Sequence, residues 1–168
     1  MQSHSLFSSF REKTLEHIFV GECLKALWVR NVFDAEVLRA DVDGAGYDVV
    51  LEACGFIRHI QLKSSFVGAK TASANINRKL GEKPGGCVIW LWFDRDSLTL
   101  GPYCWFGNVA GEPLSDMTKF PSGRHTKGDA TGFKAERTGI AIVKKSRFEV
   151  LDDINDVVTR LFFSSDDS

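Results

Sequence analysis

Between residues 9 and 30 the apolar positions Leu15, Ile18, Phe19, Cys23, Ala26 and Leu27 recur at three- and four-residue spacing. That period predicts an amphipathic helix, with Ser8 or Ser9 to cap it and Glu12 in its first turn. The pattern then switches to alternation. "VFDAEVLRA" (32–40) reads as a strand, "DVDGAG" as a turn, and residues 47–52 and 56–63 as a hairpin around Ala53-Cys54-Gly55. Within 65–86 a short helix is expected to end near Leu80, with Gly81 and Pro84 as stop signals.

"CVIWLWFD" (87–94) is apolar at every position but its last, the mark of a central strand covered on both faces. "SLTLGPYCWFG" (97–107) reads as its neighbour across a short turn. Residues 108–139, rich in Gly, Pro, Ser, Thr and Lys, keep no period and read as a long basic loop. "GIAIVKKSRFEVL" (139–151) follows as a strand. Asp152 or Asp153 then caps a last helix whose apolar face is Ile154, Val157, Val158, Leu161 and Phe162. The order of elements predicts an α/β (α+β) chain with a mixed central sheet flanked by helices.

A chain of 168 residues with 43% hydrophobic content supports one well-buried core, so a single domain over 1–168 is expected. Its parts are a core over about 10–95, the basic loop over 108–139, and a C-terminal strand and helix over 140–163. The longest apolar window is far shorter than a membrane span, and "MQSHSLFSSF" lacks the basic-then-apolar order of a secretory signal. A cytoplasmic chain without a membrane partner is therefore expected. Cys23, Cys54, Cys87 and Cys104 are widely spaced, form no CxxC pair and sit in apolar settings, which favours buried free thiols.

Charge is segregated along the chain. Between residues 119 and 147 eight Lys or Arg stand against Asp129 and Glu136, a net +6; from 148 onward Arg160 alone opposes six acids, a net −5. A basic tract of that kind binds phosphate, lies solvated, or pairs with the acidic tail. No Walker loop, GxGxxG, HExxH or GxSxG is present.

The hairpin carries the candidate chemistry. Alternation puts His59, Gln61 and Lys63 on one face, and a hairpin with Glu52 opposite Ile57 places Asp48 opposite Gln61. A carboxylate and an amide oxygen are hard ligands of the kind Mg²⁺ takes, and a neighbouring Lys can orient water or stabilise phosphoryl charge. Glu16, on the shoulder of the helical stripe, is the best second carboxylate, and Glu22 competes with it. The plainer readings are that Lys63 with Ser64 and Ser65 ends a strand in solvent and that Asp48 caps the turn at Gly46. His59 reads as a surface or hydrogen-bonded residue, and Trp90, Trp92 and Trp105 as core.

In the order Glu16, Asp48, Gln61-Leu62-Lys63 the chain resembles the PD-(D/E)XK, or restriction-endonuclease-like, nuclease superfamily in its QxK variant. The stretch "EHIFVGECLKALW" with the hairpin is most similar to the archaeal Holliday-junction-resolvase branch and to small bacterial nuclease-like domains. The resemblance implies an α-β-β-β-α-β core and a Mg²⁺- or Mn²⁺-dependent phosphodiesterase acting on nucleic acid, with DNA the expected substrate. It implies that Asp48, Glu16 and Gln61 hold the metal and that Lys63 positions the water. Gln61 departs from the usual acid and Tyr47 from the usual Pro. The alternative is a nuclease-like domain without catalysis that binds nucleic acid or a protein partner. Ser64, Ser65, Lys70, Arg124 and Lys127 are candidate phosphate-backbone contacts. Related nucleases pair subunits to cut two strands, so a homodimer is in keeping with the resemblance, although no heptad is visible.

Overall fold

The computed structural model describes residues 7–39, 44–124 and 136–163. The chain begins with helix α1 (Ser8–Val29), followed by strands β1 (Glu36–Arg39), β2 (Val49–Ala53), β3 (Phe56–Phe66) and β4 (Ser73–Asn77) and a 3₁₀ turn over Arg78–Glu82. Strands β5 (Cys87–Phe93), β6 (Leu100–Phe106), β7 (Ser122–Arg124), β8 (Glu136–Lys144) and β9 (Glu149–Leu151) lead to helix α2 (Ile154–Phe162). Among the described residues they form a six-stranded sheet in the order β1-β2-β3-β5-β6-β9 and a three-stranded sheet in the order β4-β8-β7. The larger sheet is mixed: β3 and β5 run parallel, and every other neighbouring pair in it is antiparallel.

Seven consecutive apolar residues need cover on two sides, and β5 receives it. Cys87, Ile89, Leu91 and Phe93 pack with Leu15, Phe19, Cys23 and Leu27 of α1 and with Val157, Val158 and Leu161 of α2. Val88, Trp90 and Trp92 point the other way, onto Ala74 and Ile76 of β4 and Ala141 and Val143 of β8. The result is three layers, helices over the large sheet over the small sheet, with a core in each of the two gaps. Trp90, Trp92 and Trp105 belong to those cores.

The first helix, the hairpin and the central strand pair follow the sequence pattern. The hairpin register has Glu52 opposite Ile57, with Cys54 and Gly55 as the link. Asp153 caps α2, its carboxylate accepting from the backbone N–H groups of Asn155 and Asp156 at 2.7 and 3.1 Å. Several expectations are corrected. Phe7 occupies the N-cap of α1 with no side-chain hydrogen bond there, so neither Ser8 nor Ser9 caps it. The strand expected over 32–40 is confined to Glu36–Arg39. The expected helix in 65–86 is instead strand β4 followed by the 3₁₀ turn, because Ala74 and Ile76 bury one strand face against β8.

The connection between the parallel strands β3 and β5 therefore carries no α-helix. The strand expected over 139–151 is two strands, β8 in the small sheet and β9 in the large one, separated by a 3₁₀ turn at Lys145–Arg147. Part of the expected loop over 108–139 is ordered as β7, a 3₁₀ turn at Met117–Lys119 and the start of β8. Arg78 ties these pieces together, donating to the carbonyls of Met117, Phe120 and Thr138 and to Ser122 Oγ. Among the described residues no helix is long and apolar enough to cross a membrane.

The cysteines are free thiols, as expected. Burial pushes the Cys87 thiol up to about 12 against the opposing charge of Arg58, and it pushes Cys23, between α1 and the sheet, well above its ordinary value. Since the thiolate is the reactive form, Cys23, Cys87 and buried Cys104 should resist a thiol reagent at neutral pH. Half-buried Cys54 alone should react in the native chain, and slowly, since burial raises its pKa too. Counting reactive thiols with an aromatic disulfide reagent before and after denaturation checks this; four fast thiols in the native chain would contradict the packing.

Candidate functional site

Strand β3 is eleven residues long and β2 only five, so β3 outruns its hairpin partner. The β2–β3 ladder stops at Val49 opposite Ile60, whereas β3 continues to Phe66 with β5 alone beside it. A cleft of about 600 Å³ lies where the two strands part, under the start of α1. Leu15, Leu62 and Leu91 line it with apolar surface, and Glu16, Asp48, Lys63, Ser64, Lys13 and Arg39 line it with polar groups.

Each of these side chains is set by its element. Asp48 stands one step beyond the ladder, where the register faces it toward Gln61, and its N–H donates to the Ile60 carbonyl at 2.9 Å. Its carboxylate accepts from the backbone N–H of Leu62 at 2.6 Å, which fixes it against β3. The approach to Asp48 depends on Gly46, whose φ of +88° favours glycine and where a Cβ would come within 3.0 Å of the Leu80 nitrogen.

Glu16 lies on the inward face of α1 and is only 6% exposed. Its two oxygens accept from Lys13 Nζ at 2.8 Å, one helical turn earlier, and from Arg39 Nε at 3.0 Å. Arg39 is brought there by the β1–β2 register, which sets it opposite Val49, next to Asp48. The competitor Glu22 is engaged elsewhere, its carboxylate accepting from the Tyr103 hydroxyl at 3.0 Å. Burial and that carboxylate together push the Tyr103 pKa far above its usual value.

Three of the four expected catalytic residues, Glu16, Asp48 and Lys63, thus line one cleft. Gln61 does not line it. Its amide oxygen accepts from the backbone N–H of Asn77 at 3.2 Å, because the end of β4 runs past that face of β3. The Gln61 side chain thereby ties β3 to β4. His59 on the same face has its ring nitrogen 2.7 Å from the Pro84 carbonyl and its ring edge-on to Tyr47, and it too stands outside the cleft.

Of the expected phosphate contacts, Ser64 lines the cleft. Ser65 is buried and its hydroxyl accepts from Trp90 Nε1 at 3.0 Å. Lys70 is exposed beyond β3 and Arg124 is exposed on β7, and neither lines the cleft. Lys127 lies outside the described residues. Sequence reasoning missed Lys13 and Arg39. The three-residue spacing of Lys13 and Glu16 on a helix was a readable signal; Arg39 is visible only through strand pairing.

The cleft is lined by three carboxylates, Glu12, Glu16 and Asp48, and three cations, Lys13, Arg39 and Lys63. Its charges balance among the described residues. Among the described residues no three His, Cys, Asp or Glu side chains form a group that could hold a metal ion. An ion held there would have to complete its shell with water and substrate phosphate, as Mg²⁺ does when it takes one or two carboxylates. Both carboxylates are held in place, Glu16 by Lys13 and Arg39 and Asp48 by the Leu62 N–H. The sequence matches no protein-family model and no curated protein.

Proposed function

We propose that this chain is a metal-dependent nuclease of the restriction-endonuclease-like type that hydrolyses phosphodiester bonds in DNA. The observation that carries the reading is the meeting of Glu16, Asp48 and Lys63, far apart in sequence, in one cleft where β2 and β3 part. The element order supports it as well. A helix bearing Glu16 precedes three successive antiparallel strands, and the next strand of the same sheet, β5, lies parallel to the third. The departure from an α-β-β-β-α-β core is the crossover, where β4 and a 3₁₀ turn stand in place of the helix.

In this reading Glu16 and Asp48 hold Mg²⁺ or Mn²⁺. When bound, the ion polarises a phosphoryl oxygen and acidifies water. Lys63, which lines the same cleft, would orient the attacking water and stabilise charge gathering on the phosphoryl oxygens. Arg39 and Lys13 offset the charge of Glu16 and lie ready to meet substrate phosphate. The reading is tested by incubating supercoiled and linear DNA with the chain in Mg²⁺ or Mn²⁺, with chelator as control. Metal-dependent cleavage that chelation abolishes is expected, and no cleavage with either metal opposes the reading.

A second reading, a nuclease-like domain that binds DNA without cutting it, has one observation in its favour. Gln61 gives its amide oxygen to Asn77, so the cleft has one oxygen donor fewer than the sequence suggested. Under that reading DNA binds while cleavage and metal binding are both absent.

A further inference from the structure

A second cleft, of about 360 Å³, adjoins the first and shares Ser64 with it. Two arginines line it, and each is mounted over an aromatic ring. The Arg95 guanidinium lies 3.5 Å from the centroid of Phe66, and that of Arg11 lies 5.6 Å from the centroid of Phe93. Phe66 and Phe93 are register partners at the ends of the parallel strands β3 and β5, so the fold brings the two cations to one place. Thr71 and Ser64 add hydroxyl groups.

The two clefts differ in charge. The first is balanced between acids and bases, whereas no described residue lining the second is acidic. Asp94, beside Arg95, turns its carboxylate back into its own turn, where it accepts from the N–H groups of Asp96 and Ser97 and from Ser97 Oγ. A guanidinium set over a ring presents a planar fork of donors, suited to an anion with several oxygens. A strand advances about 3.3 Å per residue, so Phe66 lies about 10 Å along β3 from Lys63.

We infer that this second cleft is a phosphate subsite for the DNA strand whose scissile bond lies at Lys63, with Arg11 and Arg95 gripping a nearby backbone phosphate. The inference rests on the reading of the first cleft as a phosphodiester site. Contacts of this kind set the register of the substrate and carry no base information, so the enzyme gains grip on the strand without sequence preference.

Anisotropy of a labelled DNA duplex, titrated in chelator with the full chain over a range of salt concentrations, tests the subsite. Arg95 is exposed, so Arg95→Gln leaves the fold intact. It should weaken binding about tenfold at low salt, and with Arg11→Gln added the slope of log K against log salt should flatten by about one contact's worth, about 0.9. Arg95→Lys should keep the slope and lose part of the affinity. Wild-type affinity and slope in both Gln variants would overturn the subsite and leave the cleavage reading standing. A wild-type chain that neither binds nor cuts DNA would overturn both.

Discussion

Lys63→Ala is expected to lower metal-dependent DNA cleavage by about 10²- to 10³-fold, the usual loss when one pre-placed donor to a developing oxyanion is removed. Asp48→Asn should lower it at least as far. The amide oxygen can still accept from the Leu62 N–H that now binds the carboxylate at 2.6 Å, so the local backbone is kept while the charge on a proposed metal ligand is lost. Both variants should melt within a few degrees of the parent and still bind DNA in chelator. Single-turnover cleavage of a labelled duplex in Mg²⁺ measures the effect. Parent-like rates in both variants would remove these residues from the chemistry.

Arg58→Met is expected to cost about 2–4 kcal/mol of folding stability. Arg58 is fully buried, and its guanidinium donates to the carbonyls of Leu161, Arg160 and Asn108 at 2.7, 3.0 and 3.0 Å. Two of those carbonyls belong to the last turn of α2, where an α-helix leaves its acceptors without intrahelical partners and where positive charge suits the helix dipole. The Trp105 ring lies 5.5 Å from the guanidinium carbon. Met fills much of the same volume but donates nothing. Each acceptor stranded in the interior costs about 1–3 kcal/mol, less where water can reach it, and the contacts to Arg160 and Asn108 are only part-buried.

Such a loss is a large share of the total stability of a domain this size, about 5–15 kcal/mol, and α2 should loosen with it. Arg58→Lys should recover less than half, because an ammonium group cannot reach three separated carbonyls as a planar fork does. Urea unfolding midpoints read the difference. A change below about 0.5 kcal/mol, the size of an ordinary surface substitution, would show that Arg58 does not hold the helix end.

How far the sequence could be read depended on whether the deciding contact was local. The hairpin was legible because Ala53-Cys54-Gly55 sets its own turn and register, and β5 because seven apolar residues leave no solvent face. Strand β4 was not. Its five residues owe their strand form to β8, paired from Ser73 opposite Lys144 onward, and nothing within 65–86 announces a partner so distant. The same non-local pairing sets the partner of Gln61. Alternation correctly put it on the face with Lys63, but the Asn77 N–H that takes its oxygen is there only because β4 lies alongside.

At the site, the helix stripe and the hairpin register were enough to bring Glu16 and Asp48 toward Lys63. The stripe alone could not choose between Glu16 and Glu22; the Tyr103 hydroxyl decides it by engaging Glu22 from β6. Arg39 became visible only with the pairing of β1 on β2, and the second arginine cleft only with the parallel pairing of β3 and β5.

Under the proposed reading the cleft at the end of the β2–β3 ladder holds a divalent metal between Glu16 and Asp48. Anomalous diffraction from crystals of the full chain soaked in Mn²⁺ tests it most directly. One manganese peak within bonding distance of both carboxylates, lost in Asp48→Asn, is expected. An empty cleft at millimolar Mn²⁺, with Glu16 still bonded to Lys13 and Arg39 and Asp48 to Leu62, would contradict it.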